Sequence, residues 1–331
     1  MRLFSLFESF VEPFPEEPAT RPPDKLLPFL WHYSRSIWPW LLVMAVLTAL
    51  ISILEVSLFG YLGNLVDWLS TSERSTFVSD ESGKLIWITL IVLVLLPLVG
   101  FIHSLVLHQA IIGNYPMAIR WHAHRYMLGQ SYSFFQDEFA GRVATKVMQT
   151  SLAIRDTVMK ILDTLTYVGV YFFSAMILMA SLNTWLILPF LVWFVVYAML
   201  LNYFLPRMKA ISRLQADARS EMTGRVVDSY TNVMTVKLFA HSGREEKYAK
   251  NSMNLFLDTV HPQMRYSTLF ISWLNLLNGG LLFSVGALSV ALWVHGGVSV
   301  GAVAVGVGLV LRLQGMSQWI MCGSYRIYSR V

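Results

Sequence analysis

The chain alternates between apolar and polar stretches on a scale much coarser than that of a soluble helix. Asp, Glu, Lys and Arg are absent from Ile37 to Leu54, Leu85 to Ile119, Thr164 to Pro206 and Tyr266 to Leu311. A membrane-spanning helix needs roughly 20 apolar residues. The first two stretches hold one span each. The third holds two, with Ser181-Leu182-Asn183-Thr184 as the break, and the fourth holds two, broken by His295-Gly296-Gly297-Val298-Ser299. The pattern predicts an all-α membrane protein with six transmembrane helices, placed at about 37–60, 85–111, 162–182, 185–205, 266–294 and 299–321.

The polar stretches between these spans keep a helical period. From Gln130 to Ile161 there is no proline, and Phe134, Phe135, Phe139, Val143, Val147 and Leu152 recur among charged residues; Ala210 to Asp258 reads the same way. Both segments are expected to be helices that continue out of the membrane and return as hairpins. At 1.5 Å per residue they reach several tens of ångströms.

Composition agrees with the pattern. The chain is 55% hydrophobic and 14% charged, with a mean hydropathy of +0.54, where a soluble domain carries about 25% charged residues. That argues against a large soluble helical protein. Trp38, Trp40, Trp68, Trp87, Trp185 and Trp293 all lie near expected span ends, where indole rings anchor at the lipid–water interface.

The net charge of +5 changes the picture only through where it sits. Of the 25 Lys and Arg, four precede the first span, two separate the first and second, six the second and third, and ten the fourth and fifth; three follow in the final segment. Basic loops stay on the cytoplasmic side. The N-terminus, both long loops and the C-terminal end are therefore expected in the cytoplasm, with residues 71–84 outside. This distribution accounts for the charge without a nucleic-acid partner. The first 25 residues read as a cytoplasmic segment and not as a signal peptide. Met1 to Phe14 is expected to form a short amphipathic surface helix, and the stretch Glu12-Pro13-Phe14-Pro15-Glu16-Glu17-Pro18 a disordered connector. The single Cys322 provides neither an intrachain disulfide nor metal-ligand spacing.

Two charges interrupt the spans. Glu55 is the only acid in the first, and Arg312 sits in the last. A charge inside the bilayer is costly unless it is paired or faces a cavity. An Arg312–Glu55 pair on a translocation pathway is one reading; Arg312 snorkelling to the boundary is the other. His103 and His108 are five residues apart and share no face well, so they read as helix-contact or interfacial residues and not as metal ligands. Gly279-Gly280, Gly301, Gly306 and Gly308 permit close helix approach.

Several stretches carry a family resemblance. They are Ser133-Phe134-Phe135-Gln136 with Gly141-Arg142-Val143, Thr223-Gly224-Arg225-Val226-Val227-Asp228-Ser229-Tyr230-Thr231-Asn232, Val236-Lys237-Leu238-Phe239-Ala240, and Arg312-Leu313 with Gly315-Met316-Ser317-Gln318-Trp319-Ile320-Met321. With these the chain resembles, over 26–321, the transmembrane domain of a type 1, six-helix ABC exporter of the bacterial half-transporter kind. The resemblance implies that the long hairpins are cytoplasmic helical extensions bearing short coupling helices at their tips. Those fall around Tyr132 to Asp137 and Asp228 to Thr235 and fit a groove on an ATPase. It points to Phe134, Phe135 and Gln136 in the first and to Tyr230, Thr231, Asn232 and Val233 in the second. The alternative is that these aromatics pack the stalk helices together. The resemblance further implies a second copy or homologous half-transporter as partner, an ABC ATPase domain or subunit, surrounding membrane lipid, an amphipathic or lipid-like substrate, and a bacterial inner-membrane location.

An exporter of this kind places ATP and Mg on a domain with a G-x-x-x-x-G-K-[ST] phosphate loop. No such loop occurs in this sequence, so no catalytic residue, cofactor or metal is assigned to it. The sixth helix is expected to be truncated, and 322–331 to be an atypical tail that leaves the family pattern. One coding string for Cys322 to Val331, read two bases later, gives Trp-Glu-Leu-Gln-Asn-Leu-Phe-Glu-Ser, which resembles the family's continuation. A shifted reading frame is thus the expected cause. The functional expectation is the permease portion of an ATP-driven exporter, inactive alone, with a non-transporting membrane scaffold or regulatory remnant as the alternative.

Overall fold

The computed structural model describes residues 1–328 except Glu17, Ala19, 74–76, 138–139 and 239–241. Side chains are described apart from Ser79, 136–137, 140–142, Ser242 and 317–328. Among the described residues there is no strand. Two short helices, α1 (Arg2–Glu8) and α2 (Leu26–Ser34), precede α3 (Trp38–Thr71), which starts with Pro39 in its first turn, where a missing N–H costs nothing. The second long helix is α4 (Ser82–Leu128). A six-residue helix α5 (Tyr132–Asp137) separates it from α6 (Val143–Leu182). Then come α7 (Ile187–Thr231), a short α8 (Val233–Leu238), α9 (Ser242–Val294) and α10 (Val300–Tyr328).

Two breaks separate long helices. α6 ends at Leu182, and Asn183 leaves helical geometry at φ −164°, ψ 132°. α9 ends at Val294, and Gly296 turns the chain at φ +71°, a conformation that suits glycine. Among the described residues five helices are long and apolar enough to cross a membrane, and Val300–Met316 forms a shorter apolar one. The expected spans are segments of much longer helices. The 53 residues of α9 and the 45 of α7 extend roughly 80 and 68 Å at 1.5 Å each, against a bilayer core of about 30 Å. α10 continues through 322–328, so the backbone of the atypical tail remains helical that far.

The helices are not uniformly α. Backbone bonds widen to the π pattern over Ile91–Leu95, Leu105–Ile112 and Lys160–Leu165. The first lies just before Pro97, whose missing donor interrupts the ladder. The other two flank a polar contact described below; widened turns of this kind concentrate at functional positions.

The chain divides into two compact units, 1–185 with 289–316, and 186–288 with 317–331. In the first, α6 lies along α3 and α4 packs against both. At one end of this unit the core gathers Val11, Ile37, Leu41, Met44, Ile111 and Tyr115, with Ser34 Oγ and Tyr115 Oη hydrogen-bonded at 2.6 Å. The N-terminal segment belongs to this core. Phe10 stacks on Trp40 at 4.2 Å, and Asn114 Nδ2 donates to the Glu8 carbonyl. The expected disordered connector is, as far as Glu16, a strap on α4. Trp121 Nε1 and Arg125 Nη1 both donate to the Pro15 carbonyl, and Phe14 meets the Trp121 ring edge-on at 5.7 Å. Composition suggested disorder; two prolines with fixed φ and an aromatic between them instead make a low-entropy segment to bind.

The second unit is a hairpin of α7 and α9. Phe204 meets Phe270 edge-on at 5.4 Å, Trp193 Nε1 donates to Asn278 Oδ1 at 3.0 Å, and Gln263 Nε2 donates to Ser212 Oγ at 3.3 Å. A cavity of about 590 Å³ between Leu188, Trp193, Val196, Trp273, Leu277 and Gly280 is almost wholly apolar. In both units the apolar windows keep most of their surface exposed, as with Leu42, Val46, Leu50 and Ile53 on α3. Such an exposed apolar girdle is untenable in water and ordinary in lipid.

Candidate functional site

Each hairpin carries a short helix at its tip. In the first unit α5 links α4 to α6. Its turn is set by the Ser131 carbonyl, which accepts from Phe134 N, and by the Ser131–Ser133 hydroxyl pair at 2.9 Å. Tyr132 is 79% exposed. Phe134 and Phe135 meet edge-on at 5.3 Å, and Phe135 also lines a cavity of about 430 Å³ with Phe14, Trp121, His124, Val143 and Val147. Phe135 therefore braces the stalks while remaining partly exposed, and Tyr132, which sequence reasoning did not single out, is the outermost apolar group. The side chain of Gln136, and residues 139 and 239–240, lie outside the described residues.

In the second unit the tip is displaced from the expected one. Tyr230 and Thr231 still belong to α7, Asn232 terminates it, and the short helix is Val233–Leu238. Asn232 donates twice to the Asp228 carbonyl, through its backbone N and through Nδ2, both at 3.0 Å. An asparagine that recaptures its own helix end is a common stop signal, and here it moves the tip a few residues on. Val233, Met234, Leu238 and Tyr230 are all exposed. Ser229 Oγ donates to Glu245 Oε2 at 2.9 Å, and the Arg225 guanidinium sits 4.4 Å from the Tyr248 ring centre. These contacts hold the end of α7 to the start of α9.

The polar groups inside the spans of the first unit form one seam. Thr48, Ser52 and Glu55 recur at i, i+4 and i+7 on α3 and so share a face. Thr48 Oγ1 donates to Asp163 Oδ1 at 2.7 Å, and His103 Nε2 lies 3.0 Å from Thr48 Oγ1 and 3.2 Å from Asp163 Oδ1. All three groups are satisfied when His103 carries its hydrogen on Nε2. Next along, Ser52 Oγ donates to the Tyr167 carbonyl at 2.9 Å. Beyond it Tyr167 Oη donates to Glu55 Oε2 at 2.5 Å, while Arg312 Nη2 donates to Glu55 Oε2 at 3.0 Å and to Tyr167 Oη at 3.1 Å. Glu55 and Arg312 thus lie together as an ion pair. Tyr167 and the His103–Asp163 contact were not anticipated. Asp163 sits one residue outside an uncharged stretch, and the i, i+4 spacing of Asp163 and Tyr167 against Thr48 and Ser52 was the available signal.

Glu55 lies 17 residues into the 34-residue α3, so it stands near the middle of that helix, about 25 Å from either end. Arg312 pairs with it there. The seam ends at Asp67, whose carboxylate accepts from Ser299 Oγ at 2.6 Å and from Gly301 N at 2.8 Å, capping α10. Gly63 and Gly301 let the two backbones touch there. His108 bonds only its own helix, at the Ser104 carbonyl, among the described residues. Among those residues no group of three His, Cys, Asp or Glu could hold a metal.

Comparison with known proteins bears on both features. The family model for the ABC transporter transmembrane region matches residues 40–315. An uncharacterized ABC transporter ATP-binding protein of Haemophilus influenzae is 41% identical over 330 residues, covering all of this chain and 54% of the relative. The chain thus spans about half the length of the curated relative it matches.

Proposed function

The chain belongs to the family of ABC transporter transmembrane regions, and from that premise we propose that it is the permease portion of an ATP-driven exporter in a bacterial inner membrane. The observation that carries this reading is the pair of short, apolar, exposed helices at the tips of long stalks. An ATPase domain or subunit, holding ATP and Mg, seats on α5 and α8. The contacting groups are Tyr132, Phe134 and Phe135 on the first tip, and Tyr230, Val233, Met234 and Leu238 on the second. Thr231 and Asn232 shape the second tip. The positive-inside distribution of Lys and Arg orients both tips, the N-terminus and the C-terminal end toward the cytoplasm. A second copy or homologous half-transporter completes the pathway.

Beyond α5 the stalk runs inward as α6. From Val143 to Asp163 α6 covers 20 residues of unbroken helix, about 30 Å. It ends on the Thr48–His103–Asp163 contact, with Glu55–Arg312 one turn further. An ATPase that binds two arrangements of the tips with different affinity shifts the spans between them. Glu55 and Arg312 line the pathway.

Photocrosslinking tests the coupling surface. A benzoylphenylalanine placed at Tyr132 or at Met234 in cells should form an adduct with an ATP-binding polypeptide, and one at lipid-facing Leu50 should not. Membrane-inserted protein that gives no such adduct at either tip would refute the proposal and favour the scaffold reading. Impermeant thiol labelling of Ser72→Cys from outside, with Tyr132→Cys protected, checks the orientation; the reverse pattern would overturn it.

A further inference from the structure

The Glu55–Arg312 pair uses only part of its hydrogen-bonding capacity. Its hydrogen bonds run through Oε2 on one side and Nη2 on the other, with Tyr167 Oη bonded to both. Among the described residues, Glu55 Oε1 and the Nε and Nη1 hydrogens of Arg312 have no hydrogen-bond partner. Arginine and carboxylate usually meet through two parallel bonds; this arrangement forgoes the second. Beside them stands Tyr171, one turn along α6. It is fully buried, and its hydroxyl lacks a protein partner among the described residues. Its ring centre lies 6.4 Å from that of Tyr167, and both Arg312 and Glu55 are within electrostatic reach of it. The pair is open on one side: the Arg312 side chain is 49% exposed and that of Glu55 23%.

Leaving such groups unmatched in a membrane interior is costly. What would match them is constrained by sign. A purely anionic head that meets Arg312 also meets Glu55, and a purely cationic head meets the converse penalty. A head that carries both charges and no net charge meets neither. We infer that Glu55, Arg312 and Tyr171 form a binding site for the dipolar head of an amphipathic molecule. Its anionic end takes the free guanidinium hydrogens, its cationic or donor end takes Glu55 Oε1, and the Tyr171 hydroxyl closes the third side. The tail lies along the apolar spans around it. This deepens the reading of the chain as a permease portion, yet the site is testable without any ATPase, so its failure would leave the coupling proposal standing.

The test titrates three probes that share one tail into the purified chain in dodecyl maltoside micelles, with binding read by thermal shift. The probes are dodecylphosphocholine, dodecyl phosphate and dodecyltrimethylammonium. The zwitterionic probe should bind about tenfold more tightly than either ion, because it alone presents each of the two opposite charges of the site with its counter-charge. Glu55→Gln should reverse the ranking toward dodecyl phosphate, and Arg312→Gln toward dodecyltrimethylammonium. A merely structural pair would lose stability without exchanging preferences. Tyr171→Phe, which removes one oxygen and keeps the ring, should weaken the zwitterionic probe several-fold in a folded chain. Equal affinity for the three heads, or an unchanged ranking in charge variants that fold, overturns the site. If neither charge variant folds, unchanged affinity in Tyr171→Phe does so. Native mass spectrometry from nanodiscs with and without phosphatidylethanolamine separates the two sources of such a head. A retained phosphatidylethanolamine lost in Tyr171→Phe marks a resident lipid; probe binding without retained lipid marks a transported amphiphile.

Discussion

Replacing Gly301 by alanine should destabilise the first unit far more than one methyl group ordinarily does. A Cβ at Gly301 would stand 2.1 Å from the Gly63 carbonyl oxygen and 2.7 Å from Asp67 Oδ2. Ordinary carbon–oxygen contact is about 3.3 Å, so α3 and α10 would have to part by about 1 Å. The Gly301 N to Asp67 Oδ1 bond, 2.8 Å at rest, and the Ser299 Oγ to Oδ2 bond, 2.6 Å at rest, would then fall outside hydrogen-bonding range. Losing the cap costs about 1–2 kcal/mol and the overpacking about 1–3 kcal/mol. The better helix propensity of alanine returns at most about 1 kcal/mol. The net loss of about 1–4 kcal/mol should lower the melting temperature by roughly 1–6 °C for a chain of this size. Differential scanning fluorimetry of the purified chain in detergent reads it directly. Gly100→Ala and Gly169→Ala make the same chemical change where no atom lies within 4 Å, and should leave the transition unchanged or raise it. A Gly301→Ala chain that melts with or above the wild type would refute the close-contact argument.

Three further outcomes are expected. Thr48→Val keeps the shape but removes the hydroxyl shared by Asp163 and His103, costing about 1–3 kcal/mol; Thr48→Ser should recover most of it, and equal melting of the two would count against the contact. Glu55→Gln and Arg312→Gln should each lower the melting temperature more than the two combined, since a single change strands the other charge; additive losses in the double-mutant cycle would show that the pair is uncoupled. Deleting residues 2–16 should expose Trp40, Trp121 and the Val11 site. Hydrogen exchange around Trp121 would then rise and the melting temperature fall, whereas unchanged exchange would mean that the strap is not held in solution.

The architecture was legible because a bilayer demands long uncharged runs, and few other constraints produce them. Ser181-Leu182-Asn183-Thr184 and the Gly296 turn were readable for the same reason: polar and flexible residues inside an apolar run must be a loop. Tip positions were harder. The second tip shifted because Asn232 acts locally, through one carbonyl four residues back, and a resemblance spread over many residues averages over such a choice. The strap was misread because composition reports whether a segment can fold alone and is silent on whether Trp121 and Arg125 await it. The Glu55–Arg312 pair could be proposed from scarcity, as one acid and one base among apolar residues. His103–Asp163 could not, since it needs the register between α3, α4 and α6, and the π turns that alter that register have no clear sequence mark.

The register of α3 explains why these features occur together. Thr48, Ser52, Glu55, Phe59, Gly63 and Asp67 follow one another at intervals of three or four residues. At 100° per residue such a stripe stays on one side of the helix and drifts slowly round it. At its start the stripe faces Asp163 and Tyr167 on α6; at its end it faces Gly308 and Gly301 on α10 and Ser299 just before it. Glu55 stands at the changeover and touches both partners, Tyr167 on one and Arg312 on the other. Between lipid tails there is little hydrophobic drive to hold helices together, so close backbone contact and interhelical hydrogen bonds must do it. The stripe supplies both in sequence: hydrogen bonds where α3 meets α6, glycine contact and a helix cap where it meets α10. A charge at the junction of two such contacts is where a rearrangement of α10 against α6 would change the electrostatics most, and there α3 carries Glu55.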